Sequence, residues 1–239
     1  MTNSRTLIAL ATYNEIENLP GLVDEILREL PLADVLIIDD NSPDGTGRWC
    51  DERAAAEPRL RCLHRPAKQG LGSATIAAIQ EAFRGNYDVI VTLDADGSHD
   101  PSYLNVLVGA AERADVAIGS RYCDGGAIEG WPWGRRVLSR FMNSLSRRVL
   151  RLPVRDTSGA FRAYRVAKLR EIELGAISAR GFAYLEEILW HLARAKAIFV
   201  EVPITFRQRR AGRSKAGVRE AAGKISTIGK LGWRGRFLR

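Results

Sequence analysis

The sequence predicts an α/β fold in which a parallel sheet is joined by crossover helices. Three observations carry that expectation. Short apolar runs recur at Thr6–Ala11, Val35–Ile38, Leu60–Arg65, Val89–Leu93 and Val116–Gly119. Stretches with helical periodicity or helix-start signals lie between them, and strands alternating with helices imply parallel pairing. Three of the runs end in polar clusters, Tyr13/Glu15, Asp39/Asp40 and Asp94/Asp96. In a parallel sheet those clusters meet along the carboxyl edge, where open α/β sheets bind ligands.

The first apolar run is a strand, and Thr12-Tyr13-Asn14-Glu15 breaks it. From Glu15 to Leu30 apolar residues fall at Ile16, Leu19, Leu22, Val23, Ile26, Leu27 and Leu30, the spacing of one helix face. The second run ends in the turn cluster 39–46, where Asp44 or Thr46 caps a helix reaching about Glu57. After the third run come a loop, Ala67–Gly72, and a helix over Ser73–Phe83. Pro101 opens a helix that extends to about Arg113, since proline suits a first helical turn. No internal repeat or low-complexity segment is present.

The fourth run leads into Leu93-Asp94-Ala95-Asp96-Gly97-Ser98-His99. Burying a lone carboxylate costs several kcal/mol or more, roughly, so two of them belong at a strand end facing a crevice. Asp-x-Asp suits a hard divalent cation, which takes oxygen ligands and bridges to phosphates. A solvated Asp/Gly turn is the alternative reading of the same residues.

Composition bounds the function. The 239 residues suffice for one large domain, and 46% hydrophobic with 27% charged content is that of a soluble globular protein. Cys50, Cys62 and Cys123 show no metal-type spacing and read as thiols in a reducing compartment. The run Leu7–Ala11 is too short for a signal-peptide core. The longest uncharged run, Gln69–Gln80, has 12 residues, short of the ~20 that span a bilayer. A cytoplasmic protein without a transmembrane helix is therefore expected. Net charge is +8, but residues 1–120 carry 10 Lys/Arg against 19 Asp/Glu, and residues 121–239 carry 26 against 9. The basic half attracts phosphates, nucleic acid or an anionic membrane surface. There is no Gly-x-Gly-x-x-Gly after the first strand and no Gly-Lys-Ser/Thr loop, which weighs against dinucleotide-binding enzymes and ordinary ATPases. No RNA- or DNA-binding motif appears, so no nucleic-acid partner is expected.

Two segments combine apolar and basic residues. In Arg135–Arg151, Val137, Leu138, Phe141, Leu145, Val149 and Leu150 lie near one helical face among six arginines. The tail from Val218 to Arg239 repeats the pattern. Such helices lie in a membrane interface or pack on a core through the same apolar stripe. His64 and His191 fall in regular elements and carry no expected role, whereas His99 is placed to orient the Asp-x-Asp loop.

The motifs Thr12-Tyr13-Asn14-Glu15, 39–46, Gly70-Leu71-Gly72-Ser73-Ala74, Asp94-Ala95-Asp96-Gly97-Ser98-His99 and Gly119-Ser120-Arg121-Tyr122 occur in this order. Together they resemble a family 2 glycosyltransferase of the GT-A fold, a Rossmann-like, mostly parallel sheet flanked by helices. Gly125-Gly126, Trp131-Pro132, Arg155-Asp156-Thr157-Ser158-Gly159-Ala160-Phe161, Gly181-Phe182, Glu201-Val202-Pro203-Ile204-Thr205-Phe206 and Gly212-Arg213-Ser214-Lys215 resemble the polyprenol (dolichol)-phosphate mannose synthases. The resemblance runs from about Thr6 to Lys215.

It implies a single catalytic domain over 1–215, with a nucleotide-sugar and metal half (1–120) and an acceptor half (121–215), followed by a basic amphipathic tail (216–239). It implies inverting transfer of mannose from GDP-mannose to a polyprenyl phosphate, at the cytoplasmic face of a membrane and with a membrane-anchoring partner subunit possible. The donor would contact Ala11, Tyr13, Glu15, Ile38, Asp40, Asp94, Ala95 and Asp96. Asp94, Asp96 and Ser98 would hold Mg²⁺ or Mn²⁺, and Arg121, Arg135, Ser139, Arg209 and Lys215 would bind the acceptor phosphate, with Asp96 and Arg121 as the catalytic pair. Ala11 stands where the family often has proline, and Ser98 where some members have glutamine. A polyprenyl-phosphate glucosyltransferase is the nearest rival. The Gln-x-x-Arg-Trp motif of processive polysaccharide synthases and the glycine-rich first loop of sugar nucleotidyltransferases are both missing.

Overall fold

The computed structural model describes residues 4–179, 181–208 and 218–237, with only the helical backbone described at 218–222 and 236–237. Five strands fall where the apolar runs place them: β1 (Thr6–Thr12), β2 (Asp34–Asp39), β3 (Leu60–His64), β4 (Val89–Asp94) and β5 (Val116–Ser120). Between the first four run α1 (Leu19–Glu29), α2 (Thr46–Ala56) and α3 (Leu71–Arg84). After β4, a 3-10 turn at Pro101–Tyr103 precedes α4 (Leu104–Ala111).

Helix α1 starts four residues later than its apolar spacing predicts. Residues 15–18 form a turn instead, in which the Glu15 carbonyl accepts the N–H groups of Asn18 and Leu19. Pro20 then occupies the first helical turn, where its missing N–H costs nothing. The expected 101–113 helix is likewise divided, because Asp100 accepts the Ser102 N–H and tightens the first turn.

The second half adds β6 (Ala127–Ile128), α5 (Trp133–Leu150), β7 (Arg162–Arg165), α6 (Val166–Leu169), α7 (Tyr184–Arg194), β8 (Phe199–Pro203), β9 (Thr205–Phe206) and α8 (Val218–Phe237). The main sheet has the order β3-β2-β1-β4-β7-β5-β8, and β6 pairs with β9 in a small second sheet. All pairs are parallel except those of β7, which lies antiparallel between β4 and β5. Arg162-Ala163-Tyr164-Arg165 does not read as a central strand, yet Arg162 is fully buried. Its guanidinium donates to the Leu185 and Thr157 carbonyls, at 2.8 Å each, and to the Tyr164 hydroxyl. Those tertiary partners offset a desolvation that local sequence cannot foresee.

One apolar cluster lies between the sheet and α1, α2 and α4, and another between the sheet and α3, α5, α7 and α8. The tail helix joins the second through Ile228 and Leu231. Helix α5 is unusual. Its buried positions are Asn143, Ser146 and Leu150, while Trp133 (79%), Leu138 (59%) and Phe141 (62%) stand exposed. Packing on the core therefore accounts only for the end of the stripe at Leu150, and the apolar residues of the first half of α5 stand outward.

Candidate active site

Parallel register brings the acidic strand ends together. Thr12 lies opposite Asp39, and Ala11 lies between Ile38 and Asp94. Beyond Asp94 the chain turns through Gly97, whose φ of 72° lies in the left-handed region that glycine adopts readily. Asp96, nearly buried, accepts the Ser98 N–H at 3.1 Å. The Ser98 hydroxyl is buried and has no hydrogen-bond partner among the described residues. Two carboxylates and an orphaned hydroxyl, all oxygen donors on one turn, fit a hard divalent cation.

His99 braces this turn. Its Nδ1 accepts the Asp94 N–H at 3.2 Å, and its ring packs against Phe161 and Phe206. Burial lowers its pKa to about 4 against the opposing pull of Asp96. The ring is therefore neutral at pH 7, and the Asp94 carboxylate 3.9 Å from Nδ1 forms no ion pair with it.

Toward β2 and β3, Ala11 and Ile38 line a small cavity with Asp94, Leu71, Thr75 and Tyr184. Lys68 lies 4.2 Å over the Tyr13 ring, and the Glu15 N–H donates to the Thr46 hydroxyl. Asp40 is gripped by Arg65 and accepts the Gln69 N–H. Arg65 also reaches Ser73 Oγ at 2.8 Å and the Gly70 carbonyl, so it ties the Gly70-Leu71-Gly72 loop to the sheet. Sequence reasoning missed Arg65; its only signal is a basic residue at a strand end opposite an acidic one. The Ala95 methyl packs in the core, which leaves its backbone as the part that can face a donor.

On the other side, Arg121 leaves β5 and forms a buried fork with Asp156. Nε and Nη2 donate to the two carboxylate oxygens at 2.7 Å each, and Nη2 also reaches Ser158 Oγ. Burial opposes both charges. Arg121 together with backbone N–H donors nevertheless pulls Asp156 down to about 2, and Asp156 raises the arginine in return. The guanidinium lies 5.3–5.8 Å from the rings of Tyr122, Phe206 and Trp131. Arg135 stacks 3.9 Å over Trp131, and the Tyr122 hydroxyl donates to Ser139 Oγ at 2.7 Å. Asn143 joins this group to the 156–159 loop by accepting the Thr157 N–H and donating to Ser158 Oγ. Arg121, Arg135 and Ser139 are thus neighbours, while Arg209 and Lys215 fall outside the described residues. Asp156 and Asn143 were not foreseen as site residues, and their burial is what sets them apart.

The family model for glycosyl transferase family 2 matches residues 7–173. The chain belongs to glycosyl transferase family 2. This family 2 glycosyltransferase is 42% identical over 233 residues to a polyprenol monophosphomannose synthase of Mycolicibacterium smegmatis, covering 95% of this chain and 88% of the relative. It is 44% identical over 211 residues to an undecaprenyl-phosphate mannosyltransferase of Micrococcus luteus, covering 88% and 87%. Among solved structures it resembles glucosyl-3-phosphoglycerate synthase from Mycobacterium tuberculosis, solved with Mn²⁺, UDP and phosphoglyceric acid (TM-score 0.69, 18% identity, 96% of this chain and 79% of that one). It also resembles a mannosyltransferase from Pyrobaculum calidifontis solved with GDP-Man and Mn²⁺ (TM-score 0.65, 16% identity, 98% and 65%). These structural likenesses establish the GT-A fold.

In this glycosyltransferase the tail helix is wired to the 156–159 loop. Lys224 of α8 meets the fully buried Glu186 of α7 at 2.5 Å, and Thr157 Oγ1 lies 3.4 Å from the same oxygen. Lys224 belongs to the basic tail from Val218 to Arg239, and the structure turns it inward. Burial raises the Glu186 pKa and Lys224 pulls it back. A raised carboxyl pKa favours the folded state below the ordinary glutamate value and costs stability as pH climbs through the folded value. Lys224→Met is therefore expected to destabilise by about 2 kcal/mol near neutral pH and by less in acid. Adding Glu186→Gln should remove most of that pH dependence. Urea unfolding at pH 5 and pH 8 checks both; equal losses at the two pH values would contradict the assignment.

Proposed function

We propose that this glycosyltransferase moves mannose from GDP-mannose to the phosphate of a polyprenyl phosphate, with inversion at the sugar carbon. The single observation that carries this reading is the position of Phe206. Its ring packs on His99 of the Asp-x-Asp turn at 5.2 Å and lies beneath Arg121 at 5.4 Å, so an acidic and a basic site share one wall. A donor diphosphate and an acceptor phosphate are both anions, and they need opposite handling: one through a cation, the other through arginine.

Asp94, Asp96 and Ser98 would hold Mg²⁺ or Mn²⁺, which when bound offsets the charge building on the departing diphosphate. Ala11 and Ile38 line the small cavity beside Asp94, and Tyr13, Glu15, Asp40 and the Ala95 backbone would join them in holding the donor, with Arg65 fixing Asp40. Arg121, Arg135 and Ser139, with Arg209 and Lys215, bind the acceptor phosphate. A phosphate monoester is already ionised near neutral pH and needs no strong base to attack. His99 fits that economy, since its Nδ1 holds the loop and burial keeps it neutral.

The protein works at a membrane surface. Among the described residues no helix is long and apolar enough to cross a bilayer. Trp133, Val137, Leu138 and Phe141 are exposed on α5, beside arginines that suit anionic headgroups. The protein is expected to pellet with anionic vesicles at low salt. Leu138→Ser with Phe141→Ser should weaken that roughly tenfold or more, because each side chain contributes about 1.5–3 kcal/mol when buried. Wild-type protein remaining in the supernatant would refute peripheral binding.

The decisive assay supplies radiolabelled GDP-mannose, UDP-glucose or UDP-GlcNAc, each with polyprenyl phosphate and with Mg²⁺ or Mn²⁺. Label should enter the lipid phase from GDP-mannose alone, and only with metal. Transfer from UDP-glucose in its place would replace the mannosyl reading with a glucosyl one.

A further inference from the structure

Strand β3 is the edge of the main sheet, and Cys62 and His64, two residues apart on it, project from one face. Helix α2 packs against this strand and brings Asp51 over the same face. His64 Nε2 lies 2.8 Å from Asp51 Oδ1, and His64 Nδ1 lies 3.9 Å from Cys62 Sγ. One ligand atom from each of the three side chains falls within 4.8 Å of the other two. The close approach of the helix depends on Gly47, where a Cβ would sit 3.2 Å from His64 Cε1 and 3.1 Å from Asp39 Oδ2. Cys50 of the same helix is fully buried.

We propose that Asp51, Cys62 and His64 form a second cation site, of a different class from Asp94/Asp96/Ser98, that binds Zn²⁺ and fastens α2 to the edge strand. The donor chemistry selects the metal. A thiolate, an imidazole and a carboxylate suit zinc or cobalt, whereas Mg²⁺ and Mn²⁺ prefer all-oxygen sets. Zinc–ligand bonds of about 2.0–2.3 Å place the ligand atoms of a tetrahedral site roughly 3.3–3.8 Å apart. The Asp51 and His64 side chains are 64% and 49% exposed, so both can turn the short distance that such a geometry asks. Three protein ligands leave a fourth position for water.

The test uses the full chain, stripped with a chelator and then titrated with Co²⁺ in excess Mg²⁺ to occupy the oxygen site. A thiolate-to-cobalt charge-transfer band should appear and saturate at about one equivalent, because only a cysteine ligand produces it. Zn²⁺ should displace the band and Mn²⁺ should not. Cys62→Ser should abolish it, and His64→Gln and Asp51→Asn should weaken binding roughly tenfold or more. Zn²⁺ should also raise the melting midpoint of wild type and leave that of Cys62→Ser unchanged. No band in wild type, a band that survives Cys62→Ser, or displacement by Mn²⁺ would each overturn the proposal. If Cys62→Ser misfolds by circular dichroism, His64→Gln decides alone: undiminished cobalt binding there overturns it.

Discussion

Asp96→Ala is expected to lower sugar transfer about a thousandfold while the protein stays folded. The carboxylate has two jobs: it is one of the oxygen donors on the Asp-x-Asp turn, and it accepts the Ser98 N–H that shapes the turn. A bound cation supplies several kcal/mol of stabilisation to the leaving diphosphate, and each 1.36 kcal/mol is a factor of ten, so roughly 4 kcal/mol corresponds to the predicted loss. Stability should change little, because the same substitution relieves repulsion with Asp94 along an acidic edge. Asp96→Asn separates the two jobs, since its amide oxygen can still accept from Ser98 while the charge is gone. It should be nearly as inactive as alanine. The measurement is the initial rate from GDP-mannose at saturating Mn²⁺, alongside a thermal melt. Turnover within tenfold of wild type in either variant would remove Asp96 from the metal site.

The second large effect is expected at Asp156. Its carboxylate is fully buried and forked to Arg121, which is itself 7% exposed. Asp156→Asn leaves a buried guanidinium without its counter-charge, and breaking such a pair from one side costs about 3–5 kcal/mol. Activity should fall as well, because Arg121 loses the fork that aims it over the rings of Phe206, Trp131 and Tyr122. The double variant Asp156→Asn/Arg121→Met tests the physical cause. Removing both charges should recover most of the stability, since a buried pair replaced by neutral groups is often close to neutral overall. Transfer should stay lost, because the buried arginine proposed to meet the acceptor phosphate is gone. Denaturant midpoints and rates for the three proteins decide this. A double variant no more stable than Asp156→Asn alone would show that the fork is not what holds the loop.

Much of the acidic strand edge was legible in the chain. The apolar runs fell on β1 to β5, and Asp94, Asp96 and Ser98 came together on one turn because they are neighbours in sequence. The surroundings of Arg121 were legible mainly through family motifs. Asn143 brings together Ser139 and residues 157–158, and Asp156 meets Arg121 across 35 positions. No periodicity or spacing encodes such a meeting.

The sequence by itself determined the alternation of strands and helices, the acidic edge and the family, because hydrophobic periodicity and contiguous motifs are local properties. Only the tertiary structure decided that β7 enters antiparallel with a buried arginine, that Asp40 belongs to Arg65, that Lys224 turns inward to Glu186, and that the first half of α5 shows its apolar residues outward. Each of these depends on which charge finds a partner once water is excluded. That pairing energy arises between residues far apart in the chain and exists only after the core has closed around them.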